Sequence, residues 1–115
     1  MGIPYTDTFT AISAVVATTT SGGYDISKRQ KIAVQFIAAG GSSVFTIDMS
    51  NDGTNWITGV AFLDAAATTG TGTYVTSKSV SSTTAGAIIT PGFKYMRVVA
   101  TWTSGTATAI IECGG

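Results

Sequence analysis

Side chains that commonly perform acid–base or metal chemistry are scarce in this sequence. Its 115 residues include no histidine and one cysteine, Cys113, which excludes Ser-His and Cys-His nucleophile systems and Cys/His zinc sites. A lone cysteine forms no disulfide within the chain, and its place near the end of an apolar run is typical of a small buried side chain. We therefore expect no enzyme, no catalytic residue, no bound metal and no cofactor.

Carboxylates are the remaining acid–base candidates, and Asp48 and Asp52 are close in sequence. Glycoside hydrolysis needs two carboxylates facing each other, but Asp52 is better explained by a turn. The spacing Asp48-x-Ser50-x-Asp52-Gly53 also resembles the first half of a calcium loop. Its twelfth position is Gly59, where such a loop needs a bidentate Glu. We favour a structural turn, and a weaker calcium site built from backbone carbonyls stays open.

The turn belongs to the most informative stretch of the chain. Residues 44–49 alternate apolar and polar side chains, as a half-buried strand does, and a polar cluster around Asp52 and Gly53 follows. Glycine takes positive φ without steric cost, and Asp bonds the local backbone. We predict a β-hairpin whose second strand, 56–62, begins with Trp56 as a core anchor.

Other apolar and β-branched runs lie between Gly, Ser and Pro turns. They predict further strands over 8–18, 24–26, 31–38, 73–80, 87–89, 93–102 and 106–113. About eight short strands with frequent turns indicate an all-β fold, a single antiparallel β-sandwich that is jelly-roll-like. We expect an extended N-terminal arm over 1–7, one domain over 8–115, and a loop over 65–72 that crosses between sheets. Strand 73–80 is expected at an edge, where Lys78 would discourage further pairing.

Composition limits the classes of partner. The chain is 44% hydrophobic and 10% charged, with a formal net charge of zero, so it lacks the basic stripe of a nucleic-acid-binding protein. A Thr-, Ser- and Gly-rich surface is easily desolvated, which suits contacts between subunits; a secreted or phage β-protein with a Thr-rich exposed face is the alternative. No secretory signal or run of ~20 apolar residues is present, so we expect synthesis in the cytoplasm of a host and no membrane.

One charge cluster, Lys28-Arg29-Gln30-Lys31, stands out. It is either a solvated loop before a strand or a docking patch for an acidic protein surface. Aromatic side chains offer a different binding chemistry, because Trp102 and Tyr74 could stack on a sugar. Packing of such aromatics in the core is the competing interpretation, and for Trp102 the two are evenly matched.

A family resemblance narrows these possibilities. The run Phe45-x-Ile47-x-Met49-Ser50-Asn51-Asp52-Gly53-Thr54-Asn55-Trp56 resembles a motif of small β-sandwich proteins in tailed-phage virions. The stretch 95–100, with its Ser-Gly hairpin and 106–111, resembles the closing strands of the same proteins. Similar turns occur in carbohydrate-binding sandwiches.

The resemblance implies a head decoration (cement) protein. Such proteins lie on the capsid exterior as dimers or trimers and bridge neighbouring major capsid proteins. No residue role transfers with the motif, so Lys28, Arg29, Lys31 and Tyr5 are candidate capsid contacts from composition alone. The alternative function is a carbohydrate-binding or host-adhesion module of a phage fibre or tail.

Overall fold

A computed structural model gives the fold of this chain and describes residues 6–65 and 73–114. Every regular element within these residues is a β-strand. The strands are β1 Thr6–Val15, β2 Thr19–Thr20, β3 Tyr24–Asp25, β4 Lys31–Ala39, β5 Ser42–Ser50, β6 Phe62–Asp64, β7 Thr73–Val75, β8 Lys78–Ser81, β9 Thr84–Ile89, β10 Tyr95–Trp102 and β11 Thr106–Gly114. They form two packed antiparallel sheets, which confirms the predicted all-β sandwich.

The two sheets have different sizes. The six-stranded sheet has the order β1-β11-β4-β9-β6-β7, and the five-stranded sheet has the order β2-β10-β5-β8 with β3 also paired to β10. The consecutive strands β4–β5, β8–β9 and β10–β11 lie in opposite sheets. These pairs therefore wrap around the core, which is the jelly-roll-like feature of the fold.

Strict alternation decides which side of each long strand is buried. Side chains of a strand point to opposite faces in turn, so every second residue of β4, β5, β10 and β11 enters the space between the sheets. In β10 the sequence pattern left the inward side open, and the structure buries Met96, Val98 and Ala100. Facing them in the core are, among others, Ile32, Val34, Phe36, Ala107, Ala109 and Ile111.

Three phenylalanines form the centre of this core. Phe36 of β4 stacks on Phe45 of β5 with ring centroids 4.7 Å apart, and Phe62 of β6 meets Phe36 edge-on at 5.9 Å. All three side chains are fully buried. Because Phe36 and Phe45 belong to opposite sheets, their stacking joins the sheets directly.

At one end of the sandwich, two turns touch through their backbones. Thr103 and Ser104 both donate backbone N–H groups to the Ser42 carbonyl at 3.1 Å. A Cβ on Gly41 would lie 2.3 Å from the Ser104 carbonyl carbon, and a Cβ on Gly105 would lie 2.3 Å from the Ala39 carbonyl oxygen. Only glycine fits at these two positions, so the β4–β5 and β10–β11 turns are locked together.

The predicted hairpin partner of residues 44–49 is wrong. Strand β5 pairs with β10 on one side and β8 on the other. Residues 56–61 form no strand and contribute a single bridge, in which Met49 and Ile57 exchange backbone hydrogen bonds of 3.0 and 2.8 Å. Trp56 is only half-buried and lies outside the core, which corrects its assignment as a core anchor.

Two other boundaries differ from the sequence prediction. The 73–80 segment forms two strands, β7 and β8, which lie at the edges of different sheets. The predicted edge position is therefore confirmed, whereas the prediction of one continuous strand is wrong. Strand β1 begins at Thr6, inside the predicted arm, and residues 1–5 lie outside the described residues. The prediction that the 65–72 loop crosses between sheets falls on residues 66–72, which lie outside the described residues; β6 and β7, on either side of it, pair with each other in one sheet.

Replacing Phe36 with Ala tests the role of the aromatic centre. We expect the free energy of unfolding to fall by about 3–5 kcal/mol, because a fully buried ring is lost and its two ring partners keep a cavity. Urea unfolding followed by tryptophan fluorescence measures this change. Val16→Ala is the control, since Val16 is 64% exposed and should change stability little. Equal effects of the two substitutions would contradict this account of the core.

Candidate functional site

Positive charge is concentrated at the end of the sandwich opposite the locked turns. The loop after β3 lies beside the start of β10, because Ile26 donates its backbone N–H to the Lys94 carbonyl at 2.7 Å. This contact brings Lys94 to the predicted cluster of Lys28, Arg29 and Lys31, and these are four of the six cationic side chains of the chain. We call these four residues the basic end.

The cations of the basic end are used in different ways. Arg29 forms an ion pair with Asp7 of β1, so it fastens the loop to the edge of the six-stranded sheet. Lys28, Lys31 and Lys94 are exposed and make no ion pair with any residue of 6–65 or 73–114. Three lysines are therefore exposed at this end, and Nζ of Lys94 lies 5.3 Å from the centroid of the Tyr95 ring.

Asp25 does not neutralise this end by direct contact. Its Oδ1 accepts hydrogen bonds from the Ser27 hydroxyl at 2.6 Å and the Ser27 backbone N–H at 2.9 Å. These bonds lower the pKa of the Asp25 carboxyl below its ordinary value, and the charges of Lys94 and Lys28 add to the shift. The carboxylate shapes the loop while the lysines stay exposed.

Beside the basic end, the outer face of the six-stranded sheet has an open groove of about 690 Å³. It runs over β11, β4 and β9, and the following loop closes it with Pro91. Ala33 and Ile88 line it from neighbouring strands, and Lys31 and Glu112 contribute its charged groups. The groove is largely apolar and suits a protein surface better than a small charged ligand.

The polar turn after β5 is held by hydrogen bonds to the Asp52 carboxylate. Oδ1 of Asp52 accepts hydrogen bonds from the backbone N–H groups of Thr54 and Asn55 at 2.8 Å and from the Ser50 hydroxyl at 2.9 Å. Its Oδ2 accepts from the Asn55 side-chain amide at 2.8 Å. Gly53 has φ of +74°, the left-handed conformation that glycine adopts without strain. Every bond of this carboxylate serves the turn.

The Asp48 carboxylate is also held by hydrogen bonds within the fold. Its side chain is 3% exposed; Oδ2 accepts from Arg97 Nε at 2.9 Å and Oδ1 accepts from the Gly59 backbone N–H at 3.2 Å. The Arg97 guanidinium lies 4.3 Å from the centroid of the Trp56 ring. A Cβ on Gly23 would meet that ring at 3.1 Å. Trp56 therefore packs over a part-buried ion pair on the outer face of the five-stranded sheet, which is its role in place of core anchoring.

The structure does not bring the two sugar-stacking candidates together. Tyr74 is 62% exposed on β7, the edge strand of the six-stranded sheet. Trp102 ends β10 in the other sheet, is half-buried, and donates its indole N–H to the Gly105 carbonyl at 2.8 Å. Within the described part of the chain they make no ring contact with each other.

The described residues offer little for covalent or metal chemistry. Among residues 6–65 and 73–114, no three His, Cys, Asp or Glu side chains lie close enough together to hold a metal ion. Burial raises the pKa of the Cys113 thiol, which keeps it protonated and weakly nucleophilic. The same residues contain no helix long and apolar enough to cross a membrane. What the arrangement supports is docking, through exposed lysines and an apolar sheet face.

Sequence reasoning found part of this surface. It selected Lys28, Arg29 and Lys31, which the structure does place together, whereas Tyr5 lies outside the described residues. It missed Lys94 and the groove. Lys94 directly follows the Pro91-Gly92 turn dipeptide and Phe93, and its approach to the loop after β3 depends on pairing between distant segments.

Comparison with known proteins extends this picture. No protein family model matches the chain, and no curated protein matches its sequence. Among solved structures, the crystal structure of the SPBc2 prophage-derived protein YomS superimposes with a TM-score of 0.82 over 100% of this chain and 97% of that chain, at 10% sequence identity. This chain has the fold of a phage protein. At such low identity the likeness to YomS shows the fold alone.

The Asp52 turn predicts a specific pH dependence. Hydrogen bonds from Asn55, Thr54 and Ser50 hold the pKa of Asp52 well below its ordinary value of 3.8. A carboxyl with a lowered folded-state pKa stabilises the fold above its unfolded pKa, and that contribution is lost as the pH falls towards the folded value.

We therefore expect Asp52→Asn to flatten the decrease in the free energy of unfolding between about pH 4 and about pH 2. The substitution keeps an oxygen acceptor for the turn N–H groups and removes the titrating charge. Urea unfolding at a series of pH values measures the slope, and a carboxyl titration by NMR identifies the group. Parallel profiles for the variant and the wild type would refute the assignment.

Proposed function

We propose that this chain is a structural protein of a phage virion, specifically a capsid decoration (cement) protein. In this proposal it lies on the capsid exterior, binds the major capsid protein and associates with copies of itself. Its likeness in fold to a prophage-derived protein supports the phage setting. The role is non-enzymatic, and the described carboxylates Asp48 and Asp52, each occupied by structural hydrogen bonds, support that part of the proposal.

The basic end is the observation that carries the capsid-binding role. Lys28, Lys31 and Lys94 lie exposed at one end of the sandwich, where two of the neighbouring carboxylates, Asp7 and Asp25, are engaged by Arg29 and Ser27. Concentrated positive charge speeds association with an acidic surface and selects for it. Lys78 and Arg97, the cations elsewhere, are held by Asp64 and Asp48. The proposed partner surface is thus an acidic patch of the major capsid protein.

Capsid binding tests this function directly. We expect the double variant Lys28→Gln/Lys94→Gln to bind expanded capsids that lack their decoration protein at least tenfold more weakly than the wild type. Two charge contacts of about 1 kcal/mol each would give this loss. Co-sedimentation with capsids at about 50 mM and about 500 mM salt measures affinity, and the wild type should weaken as salt screens the contacts.

A control variant with the same change in net charge separates the loss of lysines at the basic end from the effect of net charge alone. Ser79 and Thr101 are exposed and flank Val44 on the outer face of the five-stranded sheet. Ser79→Glu/Thr101→Glu lowers the net charge by two units, as the test variant does, and should leave capsid binding near the wild-type value. Absence of capsid binding by the wild type, or an equal loss for both double variants, would overturn the proposal.

A further inference from the structure

A second, smaller pocket lies beside the groove, at the basic end. It has a volume of about 280 Å³ and is formed by the loop after β3 and the segment that leads into β10. Arg29 and Lys94 contribute positive charge to its lining, and Ile26 and Phe93 contribute apolar surface. Among the residues that the structure describes, no Asp or Glu lines this pocket, which we call the basic pocket. Its charge favours an anionic group.

Lys94 is the cation of this pocket that is least compensated within the fold. The charge of Arg29 is offset by Asp7, whereas Lys94 makes no ion pair with any residue of 6–65 or 73–114. Because the pocket is open on one side, a carboxylate bound beside Lys94 keeps part of its hydration and avoids the cost of full burial. A carboxylate of a partner protein is therefore a group that this pocket suits.

The basic pocket and the apolar groove meet at Pro91, which lines both. On the groove side, Ala33 and Ile88 provide apolar surface, and the opposite charges of Lys31 and Glu112 offset each other. The groove therefore selects for an apolar side chain, and the basic pocket selects for a negative one. Two neighbouring sites of different chemistry specify an occupant more narrowly than either site does alone.

We propose that these two sites together bind one extended segment of the partner, with an apolar side chain in the groove and an Asp or Glu carboxylate in the basic pocket. The inference deepens the proposed function and rests on it, since the partner there is the major capsid protein. Alternate side chains of an extended chain point to the same side, roughly 6.6 Å apart. That spacing lets two such side chains reach the sites on either side of the single residue Pro91.

The acidic residues of this chain argue against a second copy as the occupant. The chain has six of them, and five are held by ion pairs or hydrogen bonds within the fold: Asp7, Asp25, Asp48, Asp52 and Asp64. The sixth, Glu112, lines the groove itself. Outside this surface, the described residues of a second copy therefore offer no uncommitted side-chain carboxylate. The segment that supplies one belongs to a different protein.

Peptide titration tests the occupant. Three unlabelled peptides of equal length in a Gly-Ser background are added to the ¹⁵N-labelled protein: one has Leu and Glu two positions apart, one has Ser in place of Leu, and one has Gln in place of Glu. We expect the first to shift the backbone NMR signals of both Ala33 and Lys94, with a dissociation constant of about 1 mM. The other two should bind at least about fivefold more weakly, because each lacks one contact.

Equal binding by the three peptides would overturn the inference. So would the absence of any shift at about 10 mM of the peptide that has both Leu and Glu.

A matched pair of glycine variants tests the basic pocket. A Cβ on Gly92 or on Gly22 meets no atom within 4 Å, so both positions accept a side chain. Gly92 lines the pocket and Gly22 does not. We expect Gly92→Glu to weaken binding of the peptide with Leu and Glu by at least about fivefold, because its carboxylate competes for Lys94. Gly22→Glu carries the same charge and should bind like the wild type.

A second matched pair tests the groove. Ala33 and Gln35 are both exposed on the same side of β4, and of the two only Ala33 lines the groove. We expect Ala33→Glu to weaken peptide binding by at least about fivefold, since a charged side chain then occupies the apolar site. Gln35→Glu should bind like the wild type. Circular dichroism and thermal unfolding confirm that each variant is folded, and equal effects within either pair would contradict the assignment.

These outcomes are separable from failure of the proposed function, because the peptide measurements use no capsids. A wild type that binds the peptide but not capsids keeps this site and loses the decoration role. Capsid binding that is unchanged in both Gly92→Glu and Ala33→Glu keeps the role and overturns the inference. Signals of Ala33 and Lys94 that shift with protein concentration alone would assign the surface to a second copy and would also overturn it.

Discussion

The fold depends on two pairs of consecutive strands that place their members in opposite sheets. Strands β4 and β5 carry Phe36 and Phe45, so the turn between them brings the two stacked rings together. Strands β10 and β11 repeat this crossing beside them, and the two turns touch where Gly41 and Gly105 leave no room for a side chain. These two crossings hold the central strands of both sheets against each other across the core.

The two outer faces of the sandwich differ in how they are covered. On the five-stranded sheet, the segment after β5 folds back, and Trp56 covers the Asp48–Arg97 ion pair. On the six-stranded sheet, Ala33 and Ile88 line an open groove. Part of one outer face is therefore covered by its own chain, and the other outer face has an open, largely apolar groove.

Sequence patterns predicted the features that depend on residues close together in the chain. They failed for the features that depend on contacts between residues far apart in the chain. Alternation in β4 and β11 correctly indicated extended chain, and the Asp52–Gly53 cluster correctly indicated a turn. The pattern could not tell that residues 57–60 would bond to β5 only at Ile47 and Met49, with β8 pairing at 42–45 on the same edge. Trp56 looked like a core residue since its partner Arg97 is far away in sequence. The groove was invisible for the same reason, being built from three separated strands.

The locked turns and the basic end lie at opposite ends of β4 and β11, and this gives the molecule a chemical polarity. Gly40–Gly41, Ser81–Thr83 and Thr103–Gly105 carry no ionisable side chain, and their hydrogen bonds involve backbone groups, the Ser104 hydroxyl and the Trp102 indole. In the proposed arrangement, with the lysine-bearing end on a capsid, the end turned to the medium would be a surface rich in glycine and hydroxyl groups. A particle coated in this way would present a nearly neutral, hydrated exterior whose colloidal behaviour no longer depends on the charge of the shell beneath it.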